Sequence, residues 1–178
     1  GHVVIKNLET DQTITNSMGC SPPSVNGDIV VFSCMEGLFM VDTSTLDWDN
    51  PVSPTGFLTE VEGLNSMKPQ VWDHYVLVDN MLVGGDGIEI SYLLYDLDEP
   101  YSEGVNPIVL GSGVYENIPA WGVFEEGVVA WFDGTSIKIY NLNDTTPQVQ
   151  SFDVATSVVS LSVNQDYVTW SINNDGEI

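Results

Sequence analysis

The chain has 178 residues, 43% hydrophobic and 10% aromatic, which is too apolar for a disordered segment and enough to bury about 70% of the unfolded surface. Its 26 acidic residues face three lysines and no arginine, for a formal charge of −23. Repulsion therefore argues against nucleic acid and anionic membranes as partners, and with no run of 18 apolar residues membrane insertion through a helix is not expected.

In chain order, VVIKNL at 3–8 and QTIT at 12–15 predict two short strands around a polar turn. Val25, the turn Asn26-Gly27-Asp28 and IVVFS at 29–33 predict a hairpin, continued by a third strand in MVDT at 40–43 and a fourth in GFLT at 56–59. Each run is rich in β-branched and aromatic residues and is bounded by turn formers. The pattern returns with Val71 and YVLVD at 75–79, then LLYDL at 93–97 after an insertion containing Gly84-Gly85-Asp86-Gly87, then PIVL at 107–110. It returns again with Phe124, VVAWF at 128–132, IYNL at 139–142 and VQSF at 149–152. A last hairpin follows, with Val163 leading YVTWS at 167–171.

The second strands of these units start at 29, 75, 128 and 167, spaced by 46, 53 and 39 residues. Four short strands at that period are the mark of propeller blades. An immunoglobulin-like β-sandwich also has many short strands, but it does not account for a recurring register between second and third strands. The pieces Pro23 through Asp28 with IVVF, Pro69 with YVLV, VVAW with IKIYNL, YVTW, LLYDL and QTIT resemble the repeats of TolB-like and WD40-like β-propellers, including archaeal and bacterial surface proteins. The resemblance covers nearly the whole chain through degenerate motifs. It implies an all-β propeller of about four blades over residues 1–178 and carries no universal catalytic set.

The last unit supplies first and second strands, and the N-terminus supplies a third and a fourth. The N-terminal strands are therefore expected to complete the last blade within the chain. Gly176-Glu177-Ile178 falls in the same third-strand register, which leaves room for a piece of a longer propeller, or for a homodimer in which two chains complete one another.

Cys20 and Cys34 are the only cysteines. If Val25 opposes Ile29, residues whose numbers sum to 54 face each other, and Cys20 and Cys34 do, which predicts a disulfide and an oxidising compartment. Two buried, reduced thiols are the alternative. Ser171, Asn173 and Asp175 before Gly176, and Asp47, Asp49 and Asn50 beside Trp48, are oxygen-rich loops. They make Asn173, Asp175, Asp47 and Asp49 weak candidates for Ca2+, although polar turns explain them as well. No other cofactor is expected. Trp131 and Trp170 share one strand position and read as packing between units; Trp48, Trp72 and Trp121 are candidates for a ligand-contacting face.

No G-x-S-x-G, H-E-x-x-H, phosphate loop or dinucleotide fingerprint occurs. His2 reads as vector-derived, which leaves His74, placed in a turn. The expectation is a non-enzymatic binding or scaffold module of a secreted, cell-surface or periplasmic protein, contacting protein or carbohydrate. The alternative is a polysaccharide lyase or hydrolase, which would need two carboxyl groups about 5–9 Å apart in a cleft, or His74 beside a bound metal.

Overall fold

The computed structural model describes residues 3–16, 20–34, 37–48, 56–59, 68–84, 87–98, 107–115, 122–154 and 158–172. Every regular element among them is a strand. In order these are β1 (Val3–Lys6), β2 (Thr13–Asn16), β3 (Ser24–Asn26), β4 (Ile29–Cys34), β5 (Gly37–Asp42), β6 (Gly56–Thr59), β7 (Gln70–Trp72), β8 (Tyr75–Gly84), β9 (Gly87–Asp96), β10 (Ile108–Tyr115), β11 (Val123–Glu125), β12 (Val128–Phe132), β13 (Ser136–Asn141), β14 (Gln150–Asp153), β15 (Val158–Val163) and β16 (Val168–Ile172). They form three four-stranded antiparallel sheets, β3–β6, β7–β10 and β11–β14, and two two-stranded ones, β1–β2 and β15–β16.

The three full sheets share one register. Phe32 opposes Phe39, Val78 opposes Leu93 and Trp131 opposes Lys138. In each, the third strand closes three residues later on Asp42, Asp96 or Asn141, whose side-chain oxygen accepts the N–H two residues on at 2.9, 3.0 and 3.0 Å. Asn7 does the same after β1, at 2.9 Å. These Asx turns stop the strand by offering the backbone a local partner. The first hairpin of each full sheet has a two-residue loop whose first residue is left-handed: Gly27 (φ 56°), Asp73 (φ 51°) and Glu126 (φ 50°). A positive φ there matches the turn to the strand twist.

Successive sheets pack through alternating faces, as period-2 side chains require. Along β4, Val31 packs with Val76 and Val78, whereas Val30, Phe32 and Cys34 pack with Val3. Leu77, Ile90 and Tyr92 of the second sheet meet Val129 and Trp131 of the third, and Val128 and Ala130 on the other face of β12 meet Val163 of β15. Side chains also bond backbone across the sheet boundaries. At repeat-equivalent positions, Ser24 Oγ accepts from Val71 N at 3.1 Å, and Gln70 Oε1 accepts from Phe124 N at 3.0 Å. The equivalent turn amides of Asp73 and Gln165 also donate across a boundary, to Asn26 Oδ1 at 3.3 Å and to Glu126 Oε2 at 3.0 Å, acceptors one position apart in the repeat.

The insertion before the third strand of the second sheet lengthens its hairpin: β8 and β9 stay paired out to Gly84 opposite Gly87, because Met81, Val83, Ile88 and Ile90 continue the β-type pattern. Two details differ from the sequence reading. Val25 opposes Val30 rather than Ile29, so the hairpin register sums to 55. The chain slips by one before Cys20 and Cys34 meet as an isolated bridge. Finally, β1–β2 and β15–β16 remain separate sheets; β1 packs through Val3 on the first full sheet, and β15 lies against β12 of the third. Among the described residues the N-terminal strands are not paired with the last hairpin.

Candidate functional site

The turns that follow first and third strands lie at one end of the sheets, and the second sheet places four polar side chains together there. Pairing of Tyr75 with Asp96 brings the β7–β8 turn beside the end of β9. His74 Nδ1 lies 2.9 Å from Asp73 Oδ2 and 4.0 Å from Asp98 Oδ2, and its Nε2 lies 4.0 Å from Asp96 Oδ1. One ligand-type atom from each of His74, Asp96 and Asp98 falls within 4.8 Å of the others. His74 and Asp96 are half-buried, Asp73 and Asp98 exposed. The imidazole lies against the Tyr75 ring, centroids 4.2 Å apart and planes tilted by 39°. Tyr75 feels the same charge: burial, then Asp96, raises its pKa. Such a group attracts cations, whether a metal ion, an ammonium or a guanidinium.

Trp72 is half-buried beside this turn, edge-on to Phe124 at 6.2 Å. It spans the second and third sheets and offers only part of its ring to solvent. Trp48 is half-buried and Asp47 exposed, beyond the end of β5. Asp49, Trp121, Asn173 and Asp175 lie outside the described residues. The structure thus brings His74 together with three acids, and does not bring Trp48 or Asp47 to them by any contact described. Cys20 and Cys34 form the expected disulfide, Cα atoms 4.1 Å apart.

A second polar group lies inside. Asp79 is fully buried, and neither carboxylate oxygen has a hydrogen-bond partner among the described residues. It faces the third sheet on the same side of β8 as Leu77. Burial raises its carboxyl pKa to about 7, against opposing pulls from the nearby Gly122 peptide and Lys68. Burial is the largest of these influences and decides the direction. A side chain at position 122 would meet both the Tyr92 ring, at 2.9 Å, and Asp79 Oδ1, at 3.1 Å, so only glycine fits. Nearby, Tyr92 Oη lies 3.4 Å from Tyr115 Oη, and Tyr115 donates to the Phe132 carbonyl. Burial raises Tyr92 strongly and pushes Tyr115 up to about 12. Partial burial pushes Asp133 up, but N–H donors of Thr135 and Ser136 and the Lys138 ammonium, 3.0 Å away, outweigh it and bring it to about 2.

Sequence reasoning placed His74 in a turn without assigning it to a site, and missed its acids and Asp79. Asp73 and Asp96 were legible from the hairpin register, which sets a turn beside the closing residue of the third strand. Asp79 was legible as the one acid on the inward alternation of YVLVD.

Neither a family model nor a curated protein matches the sequence. Among solved structures, Kluyveromyces lactis Hsv2 is similar with a TM-score of 0.54 at 14% identity, the match covering 94% of this chain and 50% of that one. The chain therefore spans about half the length of that structure, and at this identity the likeness speaks of fold.

Proposed function

We propose that the chain is a non-enzymatic binding module of propeller architecture, its full sheets being blades, and that the turn end carrying Asp73, His74, Asp96 and Asp98 is its contact surface. The blade reading is supported by the shared register and by the likeness to Hsv2, itself a propeller-type protein. The observation that carries the function is the His74 cluster. It sits at a turn anchored on both flanks, because Asn26 bonds Asp73 N on one side and Gln70 bonds Gly122 O and Phe124 N on the other. A rigid, acidic, half-exposed turn suits recognition of a basic protein segment on an otherwise acidic molecule. The disulfide fits an exported or cell-surface setting.

The test is binding to immobilised Lys/Arg-rich peptides beside a glycan array and turnover assays on neutral and acidic polysaccharides. Peptide binding that weakens with salt and falls about tenfold in Asp96→Asn/Asp98→Asn supports the reading, through loss of about 1.4 kcal/mol. Product release from a polysaccharide, or glycan binding indifferent to these substitutions, would overturn it.

A further inference from the structure

Asn143-Asp144-Thr145 is the one Asn-Xaa-Thr/Ser sequence in the chain, the pattern of an N-linked glycan acceptor on the surface of an exported protein. It lies in the turn that follows β13, at the same end of the sheets as His74, and residues 143–146 are all exposed. Asn141 orders this turn from within. Its Oδ1 accepts from Asn143 N at 3.0 Å, and its Nδ2 donates to Asp144 Oδ1 at 3.2 Å. The carboxylate in the middle of the sequence is thereby engaged by Asn141 rather than by the acceptor amide.

Asn143 is held with one amide hydrogen to spare. Its Nδ2 donates to Glu126 O at 2.9 Å, and a primary amide carries two N–H donors. Replacing one hydrogen leaves the other for Glu126, so a sugar can be attached without unmaking the turn. Beside the amide stands an aromatic ring. A side chain at position 127, which is glycine at φ 79°, would meet Asn143 Nδ2 at 2.7 Å and Trp72 Cζ3 at 3.1 Å. The acceptor nitrogen and the indole therefore border the same gap. Trp72 is half-buried and edge-on to Phe124, so part of its ring stays wet. An apolar ring in that position suits the C–H face of a sugar.

We propose that Asn143 is an N-glycosylation site and that the first sugar of its glycan seats against Trp72. In the transfer, Nδ2 gives up one proton to the transferase and forms a C–N bond to the anomeric carbon of a sugar. The lipid-linked diphosphate that carried the sugar leaves with the electron pair of the broken C–O bond, and nothing is oxidised or reduced. The glycan then stands on the third-sheet side of the acidic turn and bounds the contact surface there. The site rests on the exported setting of the functional reading and not on the acidic turn, so peptide binding can fail while the glycan stands.

The experiment sends the full chain, behind a cleavable leader, through a eukaryotic secretory pathway that N-glycosylates. Intact mass should show a glycan that an N-glycosidase removes, leaving an aspartate at position 143. Thr145→Ala should abolish the modification with Asn143 still present, and Thr145→Ser should keep it. An unmodified chain, or a glycan indifferent to Thr145→Ala, overturns the proposal. Hydroxyl-radical footprinting reads the seating: Trp72 should oxidise more slowly in the glycosylated chain and recover once the glycan is removed. An unchanged rate overturns the contact with Trp72. Fractionation of the protein's own cells separates the two readings. A chain that is exported but bare at Asn143 overturns this proposal alone, whereas a chain retained inside overturns the exported setting with it.

Discussion

Trp131 and Trp170 hold the same position in their units, yet the first is 1% exposed and the second 44%. Trp131 lies on β12, flanked by β11 and β13, with Tyr92 of the second sheet 5.6 Å from its ring. Trp170 lies on β16, flanked among the described residues by β15 alone. Identical sequence logic thus yields a core residue where the sheet is complete and a surface residue where it is open. In this molecule burial comes from the sheet and its neighbours, not from the strand.

The sharpest way to break that comparison is to truncate both rings. Trp131→Ala should cost about 3–5 kcal/mol, the range for a large aromatic removed from a packed core. Trp170→Ala should cost less than about 1 kcal/mol in the isolated chain, as surface changes do. Chemical denaturation of the two variants checks this. Equal losses would show that the Trp170 ring is covered in solution.

A second contrast lies one residue further along each second strand, where Asp79, Phe132 and Ser171 are equivalent. Asp79 is sealed between complete sheets; Ser171 is exposed and shares a hydrogen bond with Ser160 at 2.6 Å. The Asp79 carboxyl has a folded pKa of about 7, against about 4 in an unfolded chain. The folded state therefore holds the proton more tightly. Its contribution is intact below about pH 4, is lost as pH rises toward 7, and levels off above, with a span of at most about 4 kcal/mol. The other titrating groups facing this region bear little on that window, since Tyr92 and Tyr115 titrate above it and Asp133 below it. Asp79→Asn should flatten the slope between pH 4 and 7 and raise stability at pH 8 by about 1–3 kcal/mol, part of the gain being offset by a buried amide without partners. Denaturation midpoints across that range are the measurement, and an unchanged slope would show that Asp79 is ionised and compensated.

What was legible in the sequence follows the same division. The strands of the complete units could be placed because β-branched runs, Asn-Gly-Asp and Asp-Gly turns, and closing Asp or Asn residues act locally. The insertion between β8 and β9 was legible from Gly84-Gly85-Asp86-Gly87, while its lengthening of both strands rests on the apolar alternation on either side. The disulfide came out right although the strand register was off by one, since the slip between Val25 and Cys20 restores the opposition. The His74 cluster stayed hidden because its members are 22 and 24 residues beyond His74 in the chain, and only strand pairing brings them to it. Whether β1 meets β16 is not a local property of either strand.

The smallest effect tests the bonds between sheets. Gln70 is partly buried and joins two backbone groups of the third sheet, donating to Gly122 O at 2.7 Å and accepting from Phe124 N at 3.0 Å. Glu126, at the boundary with the open pair, accepts from Gln165 N at 3.0 Å in an exposed position. Losing Gln70 strands a donor and an acceptor away from water, so Gln70→Ala should cost about 2 kcal/mol. Losing Glu126 lets water take its place, so Glu126→Ala should change stability by no more than about 0.5 kcal/mol. Amide hydrogen exchange adds a spatial readout: Gln70→Ala should speed exchange across β7 and β11, whereas Glu126→Ala should affect only the turn at Gln165. If both substitutions loosen β15 and β16 alike, the acidic turn is clamping the open pair as firmly as the complete sheets clamp each other. The contrast between closed and open units would then belong to side-chain burial alone, and not to the backbone bonds between them.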